Sequence, residues 1–594
     1  MSRQLKSLLI STFVTAVLIA GLGLFVWFWV VPRVSELPIF NTLGPNRTVV
    51  DFHTHFNLDP DIPQIVLDGQ RIRNIPPPIV ERRGAYIFLH VDFMRSYIDP
   101  FLFWDDGAGV LFASTRYEIL EFTPGSRRFL INNETRQLQT PIRRTDGEIF
   151  LPADLIQSLY PVTVEFFAEY NMVVLTSLDV PQKTGRVAVS RANVRYWGDD
   201  RAPVTARLER GTEVLIFSND DFDENYIRVR TPLGLLGYAL RSDLEDFAQS
   251  DVVINQAPLV SSGWIQNLVH HPPSGHGGGA VNMVWEVVYH PDANVNLMAV
   301  PFHPGLTVVS PTWFRIDPAG THINSVASRA YVDRAHEQGV YVWPLIFDVD
   351  ADRAGLFLMN RSARRHGINQ IVNYVDLLNL DGINIDFEHL RPAYGPYKIQ
   401  FLRELAIPLR ERGVVLSAAV KVPIPETMFY RRDLIGLTVD FVQVMTYDQH
   451  WATSPVAGPN AGLNWVQWGI NNMLREVPAD RLIMGLPFYN RIWRVVQRDD
   501  SVTQQARGMA YTRNLFEQNG VNWVWDPYIG SYYGYFSALE AGEIVIYRVW
   551  LEDARSIRSK MQLFIAYELA GVASWRRGFE VPEVWDVIEF YLGR

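Results

Sequence analysis

The sequence predicts an α/β protein. A (β/α)8 TIM barrel with a small α+β insertion fills residues 280–594, preceded by two small β-rich domains and an N-terminal transmembrane helix. Three observations predict this. Eight strand-like apolar runs alternate with helix-like segments from Ala280 onward. Two segments offset by about 62 residues repeat one pattern. Near the N-terminus, the 24 residues Leu8–Val31 carry no charge.

The bulk composition sets limits. A chain of 594 residues is too long for one core, so several domains are expected. The net charge of −10 supplies no basic footprint, so no nucleic-acid partner is expected. Without cysteine there is no disulfide, thiolate metal site or Cys nucleophile. The 17 Trp, 25 Tyr and 33 Phe suit stacking on sugar rings as well as core packing. No metal or cofactor is expected.

The first element is the apolar run. At about 1.5 Å per residue, Leu8–Val31 spans roughly 36 Å, enough for a bilayer core of about 30 Å. A cleaved signal peptide has an apolar stretch of only about 7–15 residues. Here the run continues through LGLFVWFWVV, with no polar cleavage region after Ala20, Gly21 and Gly23. Arg3 and Lys6 should hold residues 1–7 in the cytoplasm, and Trp27 and Trp29 suit the outer interface. The expectation is a single-pass protein of the cell membrane, anchored through 8–31, with everything beyond it outside. Residues 32–60 read as a linker. It contains His53-Thr54-His55, but no matching ligand cluster follows nearby.

The duplication comes next. IVERRGAYIFLHVD at 79–92 matches PIRRTDGEIFLPAD at 141–154, and each copy leads to a β-rich tail, LFAST at 111–115 and VLTS at 174–177. Residues 61–180 resemble the copper amine oxidase N-terminal-like domain of bacterial cell-surface proteins, although no copper ligands are present. The resemblance implies a spacer or a wall-contacting module. Residues 185–248 read as short strands joined by turns. Asn193-Val194-Arg195, Gly211 and Gly237-Tyr238 resemble the elements of a bacterial SH3-type domain. Such modules imply contact with the cell wall. Residues 249–279, with HHPPSGHGGG, form a Pro/Gly linker.

The barrel strands are expected at 281–289, 306–310, 340–347, 382–388, 414–420, 440–447, 481–488 and 570–575. The aromatic stretch 511–550 is read as the insertion.

The fourth run, LDGINIDFEHL, alternates Asn384, Asp386 and Glu388 with Ile383, Ile385 and Phe387. A strand covered by helices should not carry two acids and an amide on one face unless they line a site. Catalytic groups in such a barrel sit at the carboxyl ends of strands. The sixth run ends in Tyr447-Asp448 and the eighth in Trp575, so three strands bring candidates to one mouth.

These residues resemble glycoside hydrolase family 18. The family's Asp-x-x-Asp-x-Asp-x-Glu appears as Asp381, Asn384, Asp386 and Glu388. Its Gln-x-Met-x-Tyr-Asp appears as Gln443, Met445, Tyr447 and Asp448, and its eighth-strand Trp as Trp575. The flanking sequences look like the branch of spore-germination and cortex-lytic N-acetylglucosaminidases. Asn384 departs from the Asp of chitinases.

The resemblance implies a retaining hydrolase that cleaves β-1,4 linkages of N-acetylglucosamine-containing wall glycan with help from the substrate. Glu388 would be the general acid, Asp386 would orient the substrate's 2-acetamido group, and Tyr447 would donate a hydrogen bond to it. Asn384, Gln443, Met445, Asp448, Tyr489 and Trp575 would bind substrate, with Trp575 as the floor of the sugar site. Trp285, Glu286 and Arg491 are weaker candidates. Glu388 is expected to stay protonated near neutral pH. Asp386 is expected to receive the Asn384 amide hydrogen bond and to stay ionised to lower pH than it would beside an Asp at position 384. A chitinase-like hydrolase and a non-catalytic glycan-binding or wall-tethering protein are the alternatives. The expected partners are the polysaccharide, the cell wall and the membrane.

Overall fold

The computed structural model describes residues 46, 48–55, 58, 62–72, 80–83, 86–178, 181–217, 225–249 and 279–593. The tail 1–7, the uncharged run 8–31 and most of the linkers 32–60 and 249–279 lie outside the described residues. No helix among the described residues is long and apolar enough to cross a membrane.

The chain divides into two compact units. One comprises Met1–Leu89 and Pro152–Gly263, the other His90–Leu151 and Trp264–Arg594. The block 61–180 is therefore split between them. Each copy of the duplicated segment forms a strand hairpin that runs into a seven-residue helix. The first copy uses Val80–Arg83, Tyr86–His90 and Val91–Tyr97. The second uses Arg143–Thr145, Glu148–Pro152 and Ala153–Leu159.

Within the first unit, a four-stranded sheet runs in the order Val162–Phe167, Met172–Ser177, Gln64–Leu67, Gln70–Ile72. Phe52, Val66, Met172, Val174 and Leu235 bury one cluster there. Residues 183–249 form a seven-stranded antiparallel sheet around Val187, Val194, Val214 and Val229. Gly237 permits a close crossing, since a Cβ there would stand 2.5 Å from the Arg195 carbonyl oxygen. His53, from the HTH motif, points its Nε2 at the Tyr170 carbonyl at 3.0 Å.

The second unit holds the barrel. Its strands are β1 (Val281–Glu286), β2 (Val308–Pro311), β3 (Tyr341–Val342 and Leu345–Phe347), β4 (Gly382–Asp386), β5 (Val415–Lys421), β6 (Phe441–Met445), β7 (Leu482–Pro487) and β8 (Gly571–Trp575). All neighbours are parallel, and β8 pairs with both β7 and β1. β3 breaks at Trp343-Pro344. Its first half pairs with β2 and its second with β4, which closes the ring.

The element before β4 shows how local sequence sets the geometry. Helix Arg361–Leu378 starts at Asn360, whose side chain accepts from the backbone N–H groups of Ser362 and Ala363. It stops at Asn379 in the left-handed region at φ 56°, which turns the chain into β4. Ile368, Ile371, Val375 and Leu378 give the helix its buried stripe.

Two additions flank the barrel. Residues 103–137 form a five-stranded antiparallel meander. It docks onto helices Arg361–Leu378 and Gly395–Glu411 through arginines. Arg364 pairs with Asp105 at 3.0 Å with both side chains fully buried. Arg403 donates to Ser114 Oγ at 2.8 Å and to the Thr115 carbonyl at 2.8 Å. Glu121 pairs with Arg361 and with Arg365. The other addition lies between β7 and β8. Its five-stranded sheet is built from Tyr489–Val496, Val502–Gly508, Val524–Asp526, Ser531–Glu540 and Glu543–Leu551. The insertion therefore begins at Tyr489, not near 511. Antiparallel pairing with Val502–Gly508 and Glu543–Leu551 places Tyr489–Val496 in this sheet, which a local pattern could not show.

Candidate active site

β4 carries the polar column, but its members have separate surroundings. Asn384 is fully buried. Its Oδ1 accepts from Trp285 Nε1 at 3.1 Å, and its Nδ2 donates to Ser417 Oγ and Gln443 Oε1, each at 2.9 Å. Gln443 is also fully buried and points its Nε2 at Met283 Sδ, 3.8 Å away. The interior of the barrel is thus tied by a closed polar network drawn from β1, β4, β5 and β6. This corrects one expectation. Both amide hydrogens of Asn384 are spent on Ser417 and Gln443, so Asp386 receives none.

Asp386 ends β4, and Glu388 lies in the turn just beyond it rather than within the strand. The Asp386 Oδ1 is closed off from solvent and has no hydrogen-bond partner among the described residues. Its carboxyl is pushed up to about 7, first by desolvation and then by the charge of Glu388. For Glu388, desolvation pulls upward. The His389 ring, 3.0 Å from Oε1, and the Lys421 ammonium, 3.9 Å from Oε2, more than cancel it and leave Glu388 below its usual range. The expected protonation is therefore reversed in the free site: the proton belongs to Asp386 and the charge to Glu388. Two carboxylates this close titrate as one system.

Three residues that complete this corner escaped the sequence reading, as did Lys421. His389 lies next to Glu388. Tyr430 donates its hydroxyl to the Glu388 carbonyl at 2.5 Å. Lys398 lies buried beneath, 3.4 Å from the Phe387 carbonyl and 5.1 Å from the Tyr430 ring centroid. Burial draws its amine down to about 8. Lys421 ends β5, so the strand-end rule that found Glu388 could have found it too. Lys398 sits on helix Gly395–Glu411, where periodicity does not show that a lysine faces inward.

Across the mouth, Tyr447 follows β6. It is only 8% exposed, and its hydroxyl has no hydrogen-bond partner among the described residues. Gly485 on β7 leaves room for it, because a Cβ there would stand 3.0 Å from the Tyr447 ring. Asp448 turns the chain in the left-handed region at φ 60°. Its Oδ1 accepts from both the Tyr489 hydroxyl and Arg491 Nη2, and the Tyr489 ring meets Tyr447 edge-on at 6.1 Å. Tyr489 and Arg491 thus hold Asp448 in place. Met445 is half-buried against the barrel core.

Trp575 ends β8, half-buried, with its ring centroid 6.0 Å from that of Trp285. The structure thus brings Asp386, Glu388, Tyr447, Asp448, Tyr489 and Trp575 to the mouth, and places Asn384 and Gln443 beneath it. Trp285 belongs to the buried network. Glu286 is buried in a pair with Arg577, capped by the Tyr331 hydroxyl, and does not line the mouth.

The sequence pattern of the family described as Glycosyl hydrolases family 18 matches residues 351–580. That span contains Asp381 through Glu388, Gln443 through Asp448, and Trp575. The chain is 23% identical over 303 residues to the uncharacterized glycosylase YvbX of Bacillus subtilis (strain 168), covering 48% of this chain and 85% of that protein. It is 27% identical over 244 residues to the cortical fragment-lytic enzyme of the same organism, covering 40% of this chain and 55% of that one. The crystal structure of the Bacillus cereus spore cortex-lytic enzyme SleL superposes with a TM-score of 0.46 at 22% identity, over 53% of this chain and 73% of that one.

Proposed function

We propose that this chain, a glycoside hydrolase with a family 18 domain, cleaves β-1,4 linkages of N-acetylglucosamine-containing peptidoglycan by a retaining, substrate-assisted route. Relatives that include cortical fragment-lytic enzymes favour peptidoglycan over chitin. The observation that carries the mechanism is the Asp386 Oδ1, a buried acceptor without a donor beside Glu388. A 2-acetamido N–H is a donor of the right kind for it.

The free pair holds its proton on Asp386 near neutral pH. When the acetamido N–H donates to Asp386, the ionised form of Asp386 is favoured, and the proton passes to Glu388. Glu388 then protonates the glycosidic oxygen as the bond to the anomeric carbon breaks. The acetamido oxygen attacks that carbon from the opposite face and forms an oxazolinium ion, whose positive charge faces the Asp386 carboxylate. Tyr447 offers its free hydroxyl to the acetamido oxygen, and Trp575 supplies an apolar floor. Water, deprotonated by Glu388, opens the ring with net retention. The usual separation of two enzyme carboxylates does not apply, since the nucleophile belongs to the substrate.

In this reading Leu8–Val31 anchors the protein in the cell membrane with its barrel outside. The copper amine oxidase-like and SH3-type modules hold the barrel against the wall. The test is digestion of purified peptidoglycan by the full chain, with reducing ends counted and products weighed by mass spectrometry. New N-acetylglucosamine reducing ends support the reading. Intact strands, with cleavage of neutral N-acetylglucosamine oligomers, would move it to a chitinase-like hydrolase.

A further inference from the structure

Arg315 stands at the barrel mouth between two aromatic rings. Its Cζ lies 4.6 Å from the ring centroid of Tyr289 and 4.6 Å from that of Phe347. The short strand Phe314–Ile316 adds to the second half of β3, so Arg315 pairs with Phe347 and Phe347 pairs with Asp386. Paired residues on neighbouring strands share a face of the sheet. Arg315, Phe347 and Asp386 therefore project in one row. Two strand spacings of about 4.8 Å put the backbone of Arg315 roughly 10 Å from that of Asp386.

The neighbouring arginines of this mouth are neutralised. Arg353 pairs with Asp348 at 2.6 Å, Arg391 with Asp352 at 2.5 Å and Arg491 with Asp448. Arg315 is different. Among the described residues it has no carboxylate partner, and it remains exposed. Arg576, directly after Trp575, makes no ion pair among the described residues, although the charge of Glu580 acts on it. Its Cζ packs 3.9 Å from the ring centroid of Phe579. A guanidinium held between two rings has little rotational freedom left, while its edge N–H groups stay open to a planar anion. If cover for the two rings were all that mattered, a methionine would provide it without leaving a charge unpaired beside a cleft.

We propose that Arg315 is a carboxylate-recognition subsite. It selects glycans whose amino sugars carry an acidic side group over neutral N-acetylglucosamine polymers. This rests on the glycan-hydrolase reading above and names the feature by which the same cleft distinguishes its substrate. The acidic group would belong to a sugar next to the one held by Asp386.

The test uses the full-length chain and three substrates: peptidoglycan glycan strands with free lactyl carboxylates, the same strands with those carboxylates amidated, and neutral N-acetylglucosamine oligomers. The wild type should prefer the free-carboxylate strands, and added salt should shrink the preference. Arg315→Gln should lose about tenfold or more in kcat/KM on those strands, mainly through KM, on the scale of a lost charge-assisted hydrogen bond. It should stay within about twofold of wild type on the other two. Arg315→Lys keeps the charge without the fork and should fall between. Equal losses on all three substrates would make Arg315 a packing residue and overturn the proposal. Should Arg315→Gln not fold, the wild type decides: equal rates on free and amidated strands overturn it. A wild type that cleaves neutral oligomers but no strands would overturn both the substrate reading and this one, and that result is distinct from strands cleaved regardless of their carboxylates.

Discussion

Trp285 Nε1 donates to Asn384 Oδ1 at 3.1 Å, deep inside the barrel and one level below the acid pair. The same amide donates to Ser417 and Gln443, so Asn384 joins four strands rather than tuning Asp386 directly. Asn384→Asp should therefore act mainly on stability. It replaces two donated hydrogen bonds with a carboxylate that must be buried charged or protonated. A loss of about 1–3 kcal/mol is expected, larger at pH 8 than at pH 4, because burial disfavours the ionised form. Urea unfolding at both pH values measures it, and an unchanged midpoint would remove the network from the account.

Glu388→Gln keeps the shape but has no proton to deliver. Turnover should fall about 10²–10⁴-fold, the usual contribution of general acid catalysis, with the unfolding midpoint nearly unchanged. Activity close to wild type in the purified variant would sink the assignment.

Asp386 should leave a mark on stability as well as on rate. Its folded value of about 7 stands above its ordinary 3.8, so the folded state binds this proton more tightly than the unfolded chain does. The resulting penalty on folding is absent below about pH 3.8, grows between there and about pH 7, and is complete above it. Asp386→Asn removes the titration. Relative to wild type, the variant should gain stability as pH rises from 4 to 8. A difference that is flat with pH would refute the raised value.

The buried Arg364–Asp105 pair joins the meander to the barrel helices. Removing one partner alone strands a charge, so Arg364→Ala should cost about 3–5 kcal/mol. The double change Arg364→Met with Asp105→Leu should recover part of that, the remainder being the lost pairing with Glu404, which also faces Arg364 at 3.6 Å. Equal destabilisation of the single and double variants would show that the pair is not coupled.

Protease added to intact protoplasts should digest the barrel, while the protein stays in the membrane fraction. A soluble, N-terminally trimmed protein in the medium would instead identify Leu8–Val31 as a cleaved signal.

Alternation along β4 and the apolar runs around it made the barrel legible, because period-2 and helical patterns are local properties of the chain. The sequence by itself also marked Asp386, Glu388, Tyr447 and Trp575, since each lies at a strand end or within two residues beyond it, and a parallel barrel brings all such ends to one mouth. Local pattern could not assign partners. Nothing in the local sequence marks Arg361, Arg364 and Arg365, yet Arg364 is fully buried and all three serve the meander about 240–260 residues earlier in the chain. The alternation that flagged Asn384 gave no sign that its amide hydrogens go to Ser417 and Gln443, 33 and 59 positions away. The location of the proton was decided in the same way. Asp386 is desolvated by the walls around it, while Glu388 meets His389 and the Lys421 ammonium at the end of β5. Which strand reaches the mouth follows from pattern along the chain. Desolvation and charge pairing depend on distances between segments far apart in sequence, and only the folded barrel sets those.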